Sequence, residues 1–321
     1  MKIKTPARQE RKRRKLMKRI SGYFENAKTT PFDERKMGIE TESLLIYKRS
    51  DQPISFQTSQ GIFSCLICDF GWEMRETKNG KVVKIEKGGF ELFYELGWNN
   101  FELVTPVFHV CDDEIYSKNE LLLAEINSAA QKFGAYVSNM SWDKDESNTL
   151  IIPDKRDEIW LDLDGNVLFG LGHIACIHFN IDLVSIDEGM DFISRLLPLY
   201  CDYAWPAEAN KRIWQNYLRG SKAQYQDGRY GPPPTSFAEY CNKIASYRIV
   251  MNVIDGELKI ADPQVEFSQC ENLNLDMFLR SVWWWMRLRV RNGKLVLELR
   301  EVSRTLPIKE SFNIIRTELN I

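Results

Sequence analysis

The alternation of apolar and polar residues predicts several β-strands, and three of them carry a pair of polar residues at strand spacing. The pairs are Glu40/Glu42, His178/Asn180 and Glu298/Arg300. Residues i and i+2 of a strand point to the same face, so each pair presents two charged or ligating groups at one place. Apolar residues alternate with them, which predicts a sheet with one apolar and one polar face. A solvated sheet shows the same pattern for any single pair.

Four Asn-Gly or Asp-Gly dipeptides predict tight turns between strands. They are Asn79-Gly80, Asp164-Gly165, Asp255-Gly256 and Asn292-Gly293. Each lies between alternating or apolar runs, which is the strongest short-range hairpin signal. The second also resembles the start of a calcium-binding loop, but the later acidic ligand is missing, so a hairpin is predicted. Strands joined by hairpins predict an antiparallel sheet, and neither a GxGxxG nor a GxxxxGK[ST] phosphate loop is present.

Helical periodicity predicts three helices, over residues 113–133, 187–203 and 274–289. A glycine- and proline-rich stretch over residues 226–237 is irregular and has the length of an active-site flap. Because strands and helices interleave without a break in composition, residues 31–321 are predicted to form a single α+β domain.

Length and composition narrow the class of protein. At 321 residues and 44% hydrophobic, the chain can bury a sizeable core. No apolar run reaches the length of a membrane-spanning helix, and the N-terminus lacks the apolar region of a secretion signal. Seven scattered cysteines fit free thiols in a reducing compartment, so a cytoplasmic location is expected. Cys65 and Cys68 form a CxxC pair, but no second pair follows at zinc-site spacing.

The charge is unevenly distributed along the chain. Residues 1–20 contain ten Lys or Arg and one acid, a net charge of +9, which leaves −11 for the rest. Residues 1–30 are therefore predicted to form a basic arm, partly helical or disordered. Such an arm can bind nucleic acid, an anionic membrane or an acidic partner, or simply be solvated. No aromatic residues interleave the charges, so stacking on single strands is not indicated.

Four motifs occur in a fixed order between residues 35 and 305. They are GIETE, FELVTPV, GHIACIHFNID and, near the end, WWWMRLRV followed by LVLELREVS. In this order the chain resembles the glutamate–cysteine ligases and, more broadly, the carboxylate–amine ligases of the glutamine synthetase-like superfamily. One departure is Ser303, where relatives carry an acid three residues after the arginine of the last motif.

The resemblance implies a curved antiparallel sheet that forms a funnel, as in glutamine synthetase and guanidino kinase catalytic domains, with helices packed on its outer face. The funnel would hold ATP and two or three Mg²⁺ ions, or Mn²⁺. Arg300 and Arg287 would bind the transferred phosphate. The implied metal ligands are Glu40, Glu42, Glu95, Glu102, His178 and Glu298.

The chemistry of magnesium and of phosphate binding requires the same residue types. Magnesium prefers carboxylate and phosphate oxygens, and several carboxylates are needed to offset the repulsion between neighbouring dications. Arginine forks match phosphate oxygens in pairs. Glu102 lies in an apolar run, where a carboxylate without a cation is costly. Arg248 and Asn180 are candidates for substrate binding, and Arg229 could also grip a carboxylate. Arg248 and Arg229 could equally be ordinary surface charges.

The sequence thus predicts an ATP- and magnesium-dependent ligase that forms an amide, with glutamate as the expected carboxylate and a γ-glutamyl bond as the expected product, through an acyl phosphate. Two alternatives stay open. One is a phosphotransferase on the same scaffold, and the other is a non-catalytic binding protein whose basic arm recruits nucleic acid. The tryptophans 283–285 are interpreted as helix packing, and neither the amine acceptor nor the oligomeric state follows from the sequence.

Overall fold

The computed structural model describes residues 6–143, 147–151, 155–223, 225, 228–254, 256–260 and 274–321. It contains a ten-stranded sheet and two small two-stranded sheets. The strands are β1 (Lys36–Tyr47), β2 (Glu73–Lys78), β3 (Lys81–Lys87), β4 (Phe90–Tyr94), β5 (Asn100–Val104), β6 (Phe108–His109), β7 (Ala135–Val137), β8 (Cys176–Asp182), β9 (Tyr230–Gly231), β10 (Met251–Ile254), β11 (Glu257–Ile260), β12 (Trp283–Trp284), β13 (Met286–Arg291) and β14 (Lys294–Ser303).

Helices lie between the strands throughout the described residues. They are α1 (Pro6–Glu25), α2 (Phe56–Phe70), α3 (Glu114–Gln131), α4 (Lys155–Asp164), α5 (Ile186–Asp202), α6 (Glu208–Gly220), α7 (Phe237–Ser246), α8 (Leu275–Leu279) and α9 (Ile308–Leu319), with 3-10 helices over Phe32–Glu34 and Gly165–His173.

The large sheet runs in the order β13-β14-β8-β1-β5-β4-β3-β2, and β6 and β7 also pair with β1. Every pairing within it is antiparallel. The three strands that carry the polar pairs, β14, β8 and β1, are therefore direct neighbours at its centre. Strand β1 is long because it pairs with four other strands, so its carboxylates lie at the middle of the sheet.

The core occupies one face of the sheet. Ile39, Phe179 and Leu297, which alternate with the polar pairs, are fully buried there. Residues of α1, α2, α3, α5, α7 and α9 complete this apolar cluster. The predicted α+β fold, with an antiparallel sheet and helices on its outer face, is confirmed. Because the apolar residues of each strand are fixed in the core, the intervening polar residues must point to the opposite face.

Three of the four predicted turns are hairpins. Asn79-Gly80 joins β2 to β3, and Asn292-Gly293 joins β13 to β14. Both Asn292 and Gly293 have positive φ angles, 51° and 78°, as a tight hairpin turn requires. The turn between β10 and β11 contains Gly256, although residue 255 lies outside the described residues.

The hairpin prediction at Asp164-Gly165 is wrong. Asp164 is the last residue of α4, and Gly165, with φ of 62°, ends that helix before the following 3-10 helix. A glycine with positive φ is as typical of a helix end as of a hairpin. The Asp164 carboxylate accepts a hydrogen bond from the Tyr217 hydroxyl (2.6 Å) and another from Ser221, which holds it in the interior.

Two of the three predicted helices are confirmed, as α3 and α5. At the start of α5, the Ser185 hydroxyl accepts a hydrogen bond from the Glu188 amide, 3.0 Å away. The third prediction, over residues 274–289, is wrong, because α8 covers only five residues and the chain then enters β12 and β13. Met286 and Leu288 alternate with the arginines of β13, as in a strand. The run of tryptophans before them favoured a helix in the sequence, so this strand was not predicted.

The tryptophans 283–285 are accordingly not part of a helix. Trp283 and Trp284 form β12, which pairs in parallel with β9. Part of the predicted flap, residues 226 and 227, lies outside the described residues. The part from residue 228 onwards includes β9 and the fully buried Arg229, so it is packed into the protein.

None of the described helices combines the length and the apolar character that a bilayer crossing requires. Six cysteines lie in the described part of the chain, and all six are free thiols.

Candidate active site

The polar pairs of β1, β8 and β14 face one another across neighbouring strands. The facing residues are Glu40 with His178, Glu42 with Glu102, and Glu298 with Asn180. All six share the face opposite the core. The sequence-predicted carboxylates and histidine are therefore brought together by sheet register alone.

Five of the six, all but Asn180, line a cleft of about 500 Å³ above the sheet. A second cleft, of about 510 Å³, continues from it over β3, β4 and β5. Glu40, Glu95 and Glu102 line both, so the two form one continuous depression. The ionisable residues around the first cleft are Glu40, Glu42, Glu95, Glu102, Arg156, Asp157, His178, Arg280, Arg287, Arg289, Arg291, Glu298, Arg300 and Glu301.

One half of the cleft is rich in carboxylates, namely Glu42, Glu95, Glu102 and Glu301. Burial raises the pKa of Glu42 to about 8, with a further contribution from the charge of Glu95. Burial likewise raises the pKa of Glu102 well above its usual value, and nearby Glu95 and Glu40 add to the effect. Carboxyl groups that are buried together resist ionisation unless a cation joins them. A cation bound in this half of the cleft would therefore favour the ionised form of these carboxyl groups.

His178 lies between the two carboxylates of β1. Its Nδ1 is 3.1 Å from Glu40 Oε2, and its Nε2 is 3.8 Å from Glu42 Oε1. Burial alone would lower the pKa of His178, but Glu42 and Glu40 outweigh it and raise the pKa. The imidazole thus connects the two glutamates, and a proton can reside on His178 or on Glu42.

The other half of the cleft is rich in arginines. Arg287, Arg289 and Arg291 alternate along β13 and all donate to Glu298, at 2.9 Å from Arg289 and 3.1 Å from Arg291. Despite burial, the charges of Arg287, Arg289 and Arg300 keep the pKa of Glu298 well below its usual value. Burial lowers the pKa of Arg287 to about 9, and the charges of Arg300 and Arg289 contribute.

Arg300 differs from the three arginines of β13. Its backbone is pinned, since its amide donates to the Trp285 carbonyl (2.7 Å) and its own carbonyl accepts from the Tyr200 hydroxyl (2.6 Å). Its guanidinium makes no hydrogen bond or ion pair with any described residue and faces the cleft. Burial lowers the pKa of Arg280 at the cleft edge, and the charges of Arg156 and Arg289 add to that effect. Arg280 and Arg300 thus present positive charge to the cleft.

Glu301 is a cleft residue that the sequence did not predict. The register between β14 and β8 shifts between Leu299 and Val302, so two residues of β14 oppose His178. Glu301 takes a positive φ of 60° at this β-bulge, and its side chain lines the cleft instead of joining the core. The strict alternation of the sequence predicts the opposite face, and no turn residue marks the bulge.

An aromatic wall closes one side of the cleft. Trp160, Trp214, Tyr217 and Trp283 line it, and they belong to a second apolar cluster built from α4, the 3-10 helix after it and α6. The ring of Trp283 lies 5.4 Å from that of Trp214 and 5.9 Å from that of Trp160. The interpretation of Trp283 as helix packing is replaced by a place in the cleft, while Trp284 is buried in the main core.

The two predicted substrate-binding residues lie elsewhere. Asn180 donates to Glu40 Oε1 at 3.2 Å and so positions that carboxylate. Arg248 is exposed, lines neither cleft, and its carbonyl accepts a hydrogen bond from Arg229. Arg229 itself is fully buried between the rings of Tyr225 and Tyr247.

The fit of the site to divalent cations differs between its two halves. Within the described ranges, no group of three or more His, Cys, Asp or Glu residues stands at metal-binding geometry. Glu298 and Glu40 are paired with arginines, whereas Glu42, Glu95 and Glu102 lack cationic partners among the described residues apart from His178. Carboxylates with raised pKa values are the donors that a hard cation would neutralise. The carboxylate half fits such an ion by its chemistry.

Comparison with known proteins gives only distant similarity. No protein-family model and no curated protein matches the chain. A structure of glutamate–cysteine ligase from Francisella tularensis in complex with AMP is 14% identical, with a TM-score of 0.34, over 55% of this chain and 31% of that chain. A GmaS/ADP complex is 11% identical, with a TM-score of 0.28, over 59% of this chain and 40% of that chain. This chain thus covers less than half of either, and the likeness carries no argument about its reaction.

Proposed function

We propose that this protein is an ATP-dependent carboxylate–amine ligase. The observation that carries the proposal is the division of one cleft into a carboxylate half, around Glu42 and Glu102, and an arginine half, around Arg289 and Arg300. Phosphoryl transfer from a nucleotide needs cations to bridge the phosphates and arginines to receive the transferred group. A cleft with both halves next to each other supplies both requirements.

In the proposed reaction, a substrate carboxylate attacks the terminal phosphate of ATP and releases ADP. The acyl phosphate formed is then attacked by an amine, which gives the amide and inorganic phosphate. Magnesium, when bound, would draw charge from the phosphate oxygens. Glu42, Glu95 and Glu102 would hold it, with His178 beside them. Glutamate is the proposed carboxylate, which would make the product a γ-glutamyl amide.

The arginines have separate tasks in this scheme. Arg300 would bind the transferred phosphate, because its guanidinium faces the cleft without a partner among the described residues. Arg287 is engaged differently: it donates to Glu298 and to the carbonyl of Leu279 at 3.0 Å. It would therefore position Glu298 and the segment after α8, and act on the phosphate only through them.

A phosphotransferase on the same scaffold would use the same cleft without an amine. The first experiment is therefore phosphate and ADP release from ATP with magnesium, screened over pairs of carboxylates and amines. Glu42→Gln and Arg300→Ala test the two halves, and the exposed residues Glu34→Gln and Arg49→Ala are the matched controls.

Phosphate release that needs both a carboxylate and an amine, and that only the two cleft variants abolish, supports the ligase. ADP formation with a stable phosphorylated product and no amine requirement identifies a phosphotransferase. Nucleotide binding without turnover for any pair would overturn both enzymes in favour of a binding protein.

A further inference from the structure

Helix α1 displays a basic surface that the cleft does not use. Arg11, Arg14, Lys15 and Lys18 are exposed and follow one another at i, i+3, i+4 and i+7. Residues at these spacings share one side of a helix and span about 10 Å along its axis. We refer to these four residues as the basic face.

The basic face is held in place by the rest of the protein. Leu16, Ile20 and Phe24 form the opposite, apolar stripe of α1, and all three are buried in the main core. The Phe24 ring packs edge-on against Tyr240 of α7, with centroids 6.0 Å apart. The Tyr23 hydroxyl also donates to Asp276. The four charges therefore stand at fixed positions.

This concentration of charge is unfavourable for the helix itself. Like charges three and four residues apart on a helix repel. Residues 6–25 contain two acids, Glu10 and Glu25, and of the basic face only Arg14 is paired with one, at 3.0 Å from Glu10. An external polyanion would remove the repulsion.

The residues on and around the basic face indicate which kind of polyanion it can bind. An amphipathic helix binds a membrane through its apolar side, but the apolar stripe of α1 is already buried in the core. Single-stranded nucleic acid needs aromatic side chains for stacking, and the basic face has none. Protein interfaces are centred on aromatic or aliphatic anchors, which are also missing from it. Regularly spaced phosphates need only fixed cations.

We propose that the basic face of α1 binds the phosphate backbone of a double-stranded nucleic acid without reading its bases. The net charge of −11 over residues 21–321 restricts such binding to this face, because the remainder of the chain repels phosphate on average.

The test uses the full chain and short DNA and RNA duplexes of unrelated sequences, with binding followed by fluorescence anisotropy at increasing salt. Four phosphate contacts predict a loss of about 100-fold in affinity between about 50 and 200 mM salt, similar for all sequences. The variant has Arg11, Arg14, Lys15 and Lys18 changed to Gln, which keeps the helix propensity. The matched control changes the exposed residues Lys48, Arg49, Lys118 and Lys309 to Gln, an equal loss of charge.

The proposal is supported if the basic-face variant loses at least tenfold in affinity and most of its salt dependence while the control keeps both. An unchanged melting temperature in both variants shows that each is folded. The proposal is overturned if wild-type protein binds no duplex, if the two variants weaken binding equally, or if only anionic phospholipid vesicles or single strands are bound.

Discussion

Arg291, the last residue of β13, donates to Glu40 Oε1 on β1 over a distance of 2.8 Å. Strands β14 and β8 lie between the two, so the guanidinium reaches over both. Its other nitrogen donates to Glu298 at 3.1 Å. Arg291 therefore joins Glu40 on β1 to Glu298 on β14 and neutralises Glu40.

The first prediction is that Arg291→Gln increases the affinity of the cleft for divalent cations. Arg291 competes with a cation for Glu40, and its removal leaves that carboxylate available. We expect Mn²⁺ to bind about tenfold more tightly, a change of about 1.4 kcal/mol, measured by calorimetry without nucleotide. Arg49→Gln is the control. Equal or weaker Mn²⁺ binding by Arg291→Gln would show that Glu40 is not a ligand.

The second prediction concerns pH. Glu42 has its pKa raised to about 8 in the folded protein, because burial disfavours its charge. Between its ordinary pKa and about 8, the folded chain holds a proton that the unfolded chain has released. The contribution of Glu42 to the free energy of unfolding is thus fully present at low pH and is lost as pH rises through about 8. Without metal, we expect urea denaturation to show a free energy of unfolding a few kcal/mol lower at pH 8 than at pH 5.

Glu42→Gln isolates this effect, because glutamine has the same shape and no charge. The variant should be more stable than the wild type at pH 8, and its stability should depend less on pH. Mg²⁺ at about 100 times its dissociation constant should add about 2.7 kcal/mol to the wild type at pH 8 and much less to the variant. If both proteins respond alike to pH and to Mg²⁺, Glu42 is not the group that a cation neutralises.

The sequence predicts the residues of the site where the strands are regular, and fails where they are not. Glu40, His178 and Glu298 lie where their alternation predicts, since one residue of slip would bury them in the core. Glu301 does not, because a β-bulge depends on how two strands pair and has no signature in the sequence of either. Arg289 and Arg291 of β13 were missed for a different reason. The tryptophan run before them has helical as well as strand character, and the pairing with β14 decides the outcome.

The third prediction separates two arginines that the family resemblance treats alike. Arg300→Ala should lower the melting temperature less than Arg287→Ala does, since the Arg300 guanidinium makes no hydrogen bond or ion pair within the described part of the chain and acts on Glu298 and Glu301 only through its charge. It should lower turnover about 100- to 1,000-fold. Arg287→Ala should instead destabilise the fold by about 3–5 kcal/mol, because Glu298 would remain buried with one partner fewer.

Thermal unfolding and phosphate release on the same preparations check this pair, with Arg49→Ala as the control. Equal destabilisation by the two substitutions would contradict the assignment of Arg287 to positioning. Full turnover in Arg300→Ala would remove Arg300 from the phosphate site.

The fourth prediction tests the bulge that turns Glu301 into the cleft. Val302 lies opposite Ile177 and Ser303 opposite Cys176, so the strand on the far side of the bulge is fixed in register. Glu301 must then keep its φ of 60°, which costs an L-residue about 1–2 kcal/mol and a β-branched residue more. Glu301→Gly should leave the free energy of unfolding within about 1 kcal/mol of the wild type, because relief of this strain offsets the lost contacts. Glu301→Val should lower it by about 2 kcal/mol or more relative to the glycine variant.

Urea denaturation of both variants measures the difference. Each lacks the Glu301 carboxylate, so the difference between them reports the backbone conformation and the valine side chain, and not the charge. Equal stabilities would mean that β14 can slide to remove the bulge, which would return residue 301 to the core side. In that case the place of Glu301 in the cleft would depend on its charge, and not on the register of the sheet.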